Sequence, residues 1–132
     1  MNRFRLAFLL IALAVCLGAF GAHALKSKLT ADAVASWQTA VLYLFIHSIA
    51  ILLISHMQEA SNAFGRYSKT IIMLLITGNL LFCGSIFILT TREIHHLPVA
   101  FAGPLTPIGG ICFIVAWCLA AFTFRRNSLP SE

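Results

Sequence analysis

The sequence predicts an all-α membrane protein, an antiparallel bundle of four transmembrane helices. The 132-residue chain is 60% hydrophobic and 10% charged, against roughly 25% charged residues in soluble domains. Its charged residues fall in short segments, which leave four charge-free stretches of 20, 26, 22 and 31 residues. A helix needs about 20 residues to cross a hydrocarbon core of ~30 Å. Each stretch is therefore long enough to span the membrane.

The charge-free stretches set the spans, and the basic residues beside them set the orientation. The spans are placed at residues 4–24, 36–57, 69–90 and 107–124 of a single domain, 1–132. Short loops make consecutive helices antiparallel neighbours. One side of the membrane then carries Arg3, Arg5, Arg66, Lys69, Arg125 and Arg126, and the other carries Lys26, Lys28 and Arg92. Because cytoplasmic loops are enriched in basic residues, both termini are expected in the cytoplasm.

The stretch GAFGAHALK at residues 18–26 admits two interpretations. It follows a basic start and an apolar run, and Ala22-His23-Ala24 completes the outline of a secretory signal with a cleavage site. Cleavage there would leave three spans. Alternatively, Ala14, Gly18 and Ala22 recur every four residues and form a small-residue face for helix packing. We favour the uncleaved helix, with Gly21 loosening its outer end.

Glycines in the last two spans predict further close helix contacts. Gly78 shares a helix face with a residue seven positions later, and Gly84 lies in the same span. The fourth span is expected to begin at Pro107, which is followed by Gly109 and Gly110. Thr106 would then be its N-cap.

Counting residues along the spans predicts a polar cluster in the outer half of the bundle. Its candidate members are His23, Gln38, Thr39, Tyr43, His47, Asn79, Ser85 and Thr106. His47 and Asn79 fall at similar depths near the middle of the membrane. The cluster would either hydrogen-bond the helices together or form a small site that binds or relays a proton or ligand. A metal site is less supported, because the spans contain no carboxylate and no paired cysteines.

Four motifs together resemble a known family. They are GAFGAHALK at 18–26, WQTAVLY at 37–43, GNLLFCGSIF at 78–87 and TPIGG at 106–110. In this order they are similar to domain-of-unknown-function family 423, small inner-membrane proteins related to transmembrane protein 256 of animals. The resemblance implies a four-span fold in a membrane and supplies no catalytic residues. The chain departs from the family pattern at Cys83, Phe87 and Ala116. These departures weaken the argument that hydroxyl groups of the third span are essential.

These features favour a non-catalytic protein of the bacterial inner membrane with a binding, scaffolding or membrane-maintenance role. No acidic residue within a span could orient a histidine for catalysis, and no metal or cofactor is expected. The alternative is a small transporter or channel that uses the polar cluster. Expected partners are membrane lipids, a second copy of the chain or another membrane protein. Nucleic acid is excluded, because the nine basic residues form no patch.

Overall fold

The computed structural model describes residues 2–96 and 98–124. Within these residues the fold contains four long helices. They are α1 (Arg3–Leu25), α2 (Ala31–Ser61), α3 (Gly65–Thr90) and α4 (Ala102–Thr123), each long and apolar enough to span a membrane. One further helical turn, Arg92–His95, lies between α3 and α4. The described residues contain no strand, so the predicted fold class is confirmed. Arg125 and Arg126, used above to predict the orientation, lie outside the described residues.

Helices α2 and α3 form the centre of the bundle. Helix α1 packs mainly against α2, whereas α4 packs mainly against α3. The buried core includes Ile51 of α2 together with Ile71 and Leu75 of α3, all fully buried. Large apolar side chains of α1 and α4, such as Phe8 and Phe122, are exposed. These outer faces suit contact with lipid tails, which are as apolar as the side chains themselves.

Helix α2 begins five residues before its predicted start at residue 36. The side chain of Thr30 caps it by accepting a hydrogen bond from the amide of Ala33 at 3.3 Å. Asp32 lies in the first turn, where a negative charge complements the helix dipole. The helix ends at Asn62, a left-handed residue with φ 49°. The predicted outer loop is therefore partly helix, and α2 extends beyond the hydrocarbon core.

The predicted start of α4 at Pro107 is wrong, because the helix begins at Ala102. Pro104 lies in the first turn, where a backbone N–H has no partner within the helix. Its missing donor therefore costs nothing there. Pro107 lies one turn further in and removes a bond to the carbonyl four residues earlier. Thr106 is consequently a residue within the helix and does not cap it.

The packing face of α1 follows a spacing of seven residues instead of the predicted four. Ala7, Ala14 and Gly21 are buried, whereas Ala22 is exposed. A Cβ atom on Gly18 would lie 3.4 Å from Val41 Cγ1, an ordinary contact. A step of four residues turns the face by about 40°, but a step of seven turns it by only about 20° in the opposite sense. Residues spaced by seven therefore face a neighbouring helix over a greater length than residues spaced by four.

Trp37 joins the outer ends of α1 and α2. Its indole Nε1 donates a hydrogen bond to the carbonyl of Leu17 at 2.9 Å. A Cβ atom on Gly21 would lie 2.5 Å from the same nitrogen, so only glycine leaves room for this ring. Gly21 begins a π-helical turn, Gly21–Leu25. Trp37 is thus a buried contact between α1 and α2.

Candidate functional site

The predicted polar residues are distributed over several places in the structure. His23, Gln38 and Thr39 are exposed, and the hydroxyl of Thr39 donates to the carbonyl of Ala35 at 3.0 Å. The remaining members lie in three settings: an aromatic cluster around His47, a hydroxyl pair near the outer end, and a groove that contains Asn79. The structure therefore does not gather all eight residues into one cluster. Whether any of them has a functional role stays a prediction.

His47 is buried within an aromatic cluster between α2 and α4. Its Nδ1 lies 2.7 Å from the carbonyl oxygen of Tyr43. Because a carbonyl only accepts, Nδ1 carries the hydrogen and Nε2 is left as the acceptor of the neutral ring. The imidazole stacks on Phe113 with ring centroids 3.6 Å apart and an interplanar angle of 12°. This geometry covers one face of the ring and ties α2 to α4.

Two glycines let α3 and α4 approach closely enough to form this cluster. A Cβ atom on Gly78 would lie 2.5 Å from the ring of Phe113. A Cβ atom on Gly109 would collide with the backbone nitrogen of Phe82. Both glycines thus lie at close contacts between α3 and α4. Gly110 differs, since a Cβ atom there would meet Phe82 only at 3.8 Å.

The hydroxyl groups of Ser85 and Thr106 lie 2.6 Å apart and link α3 to α4. Ser85 also donates to the carbonyl of Phe82 at 3.0 Å. Since that carbonyl can only accept, Ser85 accepts the hydrogen bond from Thr106. Each hydroxyl is thereby paired inside the protein. This arrangement is that of a structural link between two helices.

A groove of about 250 Å³ separates α1 from α3. Its α1 wall consists of Leu6, Leu10, Leu13 and Leu17. The α3 wall includes Ile76, Asn79, Leu80, Cys83, Gly84 and Phe87, and Leu44 of α2 completes the lining. The lining is apolar apart from Asn79. Leu13 and Leu80 are exposed, so the groove opens sideways toward the lipid.

Asn79 lines this groove, and its side-chain amide nitrogen is buried. It is 5% exposed, and its Nδ2 has no hydrogen-bond partner among the described residues. Its Oδ1 lies 4.0 Å from the thiol of Cys83. A buried amide without a partner costs about 1–3 kcal/mol. Asn79 also begins a π-helical turn, Asn79–Cys83, and such turns are frequent at functional sites.

The sequence predicted Asn79 and Gly84 individually but not the groove between α1 and α3. The side-chain oxygen of Asn79 lies near Cys83 of its own helix, whereas the ring of His47 stacks on Phe113. Gly84 was expected to be a packing residue, but a Cβ atom there would meet nothing within 4 Å. Leucines at spacings of three and four residues along α1 were the available signal for one wall. They could not show which helix would lie opposite.

Four helices that are long and apolar enough to span a membrane, with an aromatic cluster between α2 and α4 and a lateral groove between α1 and α3, define a small multi-pass membrane protein. Residues 17–110 match the family described as "Protein of unknown function (DUF423)", and the chain belongs to that family. The predicted family resemblance is confirmed. The matched range contains the Trp37 contact, Asn79, Gly84 and the close contact at Gly109.

Similar proteins occur in bacteria and in yeast. The UPF0382 membrane protein YwdK of Bacillus subtilis is 35% identical over 107 residues, covering 81% of this chain and 82% of the relative. A UPF0382 membrane protein of Schizosaccharomyces pombe is 38% identical over 106 residues, with coverage of 80% and 86%. One from Haemophilus influenzae is 35% identical over 116 residues, 87% of each chain. No solved structure gives a significant match. The chain is thus a membrane protein similar to proteins named only by that location.

Proposed function

We propose that the chain is a non-catalytic binding protein of the bacterial inner membrane, whose α1–α3 groove holds a lipid from the surrounding bilayer. The groove is the observation that supports this proposal. Its walls are apolar, it opens sideways from the bundle, and it lies between helices that are long enough to span the hydrocarbon core. Its volume of about 250 Å³ is slightly below the range typical for small-molecule sites. It therefore suits part of a long, thin molecule.

The surroundings of His47 also favour binding over catalysis or transport. The ring hydrogen-bonds to a backbone carbonyl, and no carboxylate is present in the charge-free spans to activate it. Phe113 covers one face of the imidazole. Five recesses on the described part of the chain, including the α1–α3 groove, are lined by residues other than His47. A transporter that relays protons through His47 would need a path that reaches this ring.

Replacing Gly84 with leucine is expected to fill the groove and remove the bound lipid. A Cβ atom at this position meets nothing within 4 Å, so the helix backbone does not need to move to accept a side chain. Lipids that co-purify with the protein in mild detergent can be counted by native mass spectrometry. We expect occupancy in the variant to fall at least fivefold below that of the unaltered protein.

The matched control is Gly103→Leu, which adds the same side chain to another open helical position outside the groove. Both variants replace a helical glycine and gain about 1 kcal/mol of helix propensity. The control should retain its lipid. Equal occupancy in the two variants would show that the lipid binds elsewhere.

We propose further that both termini face the cytoplasm. Arg3 and Glu59 form an ion pair at 3.6 Å, so the start of α1 and the end of α2 lie on the same side. In a chain without its native cysteines, a cysteine at Lys28 should react with a membrane-impermeant maleimide added to spheroplasts. A cysteine at Arg66 should react only after the membrane is permeabilised. The reverse pattern would invert the proposed topology.

A further inference from the structure

We infer that the α1–α3 groove selects a neutral lipid with a carbonyl oxygen in its apolar body, the chemical class that includes isoprenoid quinones, and that Asn79 donates a hydrogen bond to this oxygen. The inference rests on the proposed binding function and names the ligand class. It follows from three properties of the groove: an unpaired donor, the depth of that donor, and the absence of charge around it.

The unpaired donor is the side-chain amide of Asn79. The residue is 5% exposed and lines the groove, while Nδ2 has no partner among the described residues. In the structure Oδ1 faces the thiol of Cys83, a weak donor, at 4.0 Å, and Nδ2 is the amide atom that remains without a partner. The group left over therefore donates. A ligand that satisfies it must present an acceptor.

The depth of Asn79 narrows the choice of acceptor. Asn79 is ten residues after Lys69 and eleven before Thr90. These intervals correspond to about 15 and 16 Å along the helix, so Asn79 lies near the middle of a ~30 Å hydrocarbon core. The ester and headgroup oxygens of a phospholipid reside at the edges of that core. The acceptor must therefore belong to a molecule whose polar atom is stable within the hydrocarbon.

The remaining residues that line the groove restrict the charge and the shape of the ligand. No Lys, Arg, His, Asp or Glu lines the groove. A carboxylate such as that of a free fatty acid would be buried without a counterion, which is strongly unfavourable. The α1 wall runs from Leu6 to Leu17, eleven residues or about 16 Å. The groove therefore fits a neutral carbonyl group attached to an extended apolar chain.

A matched pair of ligands tests the inference: decylbenzoquinone and decylbenzene, which share the chain and a six-membered ring and differ in the carbonyl groups. Their dissociation constants for the full-length protein can be measured by native mass spectrometry in detergent. We expect the quinone to bind about tenfold more tightly to the unaltered protein, as one well-placed hydrogen bond allows. In Asn79→Leu the preference should fall below twofold, because the donor is lost while the apolar wall remains.

The outcomes separate the ligand class from the binding function. If both ligands bind equally well to the unaltered protein and Gly84→Leu displaces both, the groove binds apolar chains and the inference is wrong. If neither ligand competes with co-purified lipid and Gly84→Leu changes nothing, the proposed function is wrong as well. A preference that persists in Asn79→Leu would also overturn the role of Asn79. The comparison on the unaltered protein does not depend on whether any variant folds.

Discussion

Replacing Gly109 with alanine is expected to destabilise the protein by about 2 kcal/mol, because the new methyl group would push α4 away from α3. A Cβ atom at this position collides with the backbone nitrogen of Phe82 and lies 2.8 Å from its Cβ. A backbone cannot rotate away as a side chain can, so the helices themselves must separate. The gain of about 1 kcal/mol in helix propensity is too small to offset this. The free energy of unfolding in detergent, followed by circular dichroism, measures the effect.

Gly110→Ala is the matched control for this change. It makes the same substitution one residue later in the same helix, where a Cβ atom meets the ring of Phe82 at 3.8 Å. We expect its stability to stay the same or to rise by up to about 1 kcal/mol through helix propensity. If the two variants unfolded at the same free energy, the close approach of α3 and α4 at Gly109 would be contradicted.

Replacing Trp37 with alanine is expected to destabilise the protein by about 3 kcal/mol. The indole donates to the carbonyl of Leu17, lies against Gly21, and has its ring centroid 4.6 Å from that of Phe87. It thus connects α1, α2 and α3 near the outer surface. Removal of the indole leaves a cavity beside Gly21, which has no side chain to fill it. The same unfolding measurement in detergent applies.

Trp117→Ala removes the same side chain from a site that is 45% exposed, and we expect it to cost less than about 1 kcal/mol. Trp37→Phe provides an intermediate case, because it keeps an aromatic ring and removes the indole donor. It should cost about 1 kcal/mol, the net value of one hydrogen bond. Equal losses for Trp37→Ala and Trp117→Ala would show that the buried contacts of Trp37 stabilise the fold no more than those of a half-exposed tryptophan, and would contradict this prediction.

Trp37 and Gly109 do not line the groove, but they contact the helices that form its walls. Trp37 fixes the outer end of α1, which carries one wall of the groove. Gly109 fixes α4 against α3, which carries the other. Between them, Asn79 keeps an amide unpaired at a cost of about 1–3 kcal/mol. A donor retained at that cost is readily understood if a ligand pairs with it.

Much of the fold is predictable from local features of the sequence. The charge-free stretches locate four helices, because a bilayer of constant thickness requires a minimum length of apolar chain. The ends of α2 and α4 are less predictable: Thr30 caps α2 earlier than expected, and the first turn of α4 tolerates Pro104. Gly78 and Gly109 are identifiable as packing residues. The surfaces that they contact are not identifiable from their own positions.

The number of spans, the membrane location and the family follow from hydropathy, charge and motif order along the chain, as the confirmed predictions show. The tertiary structure decides which helical faces meet. Gly18 and Gly21 are the same residue type on the same helix. The three-residue step between them rotates their direction by about 300°, so that only Gly21 lies against Trp37. The groove likewise exists because α1 packs against α2 and leaves a gap toward α3. Such a gap depends on two surfaces at once, and no single stretch of sequence contains both.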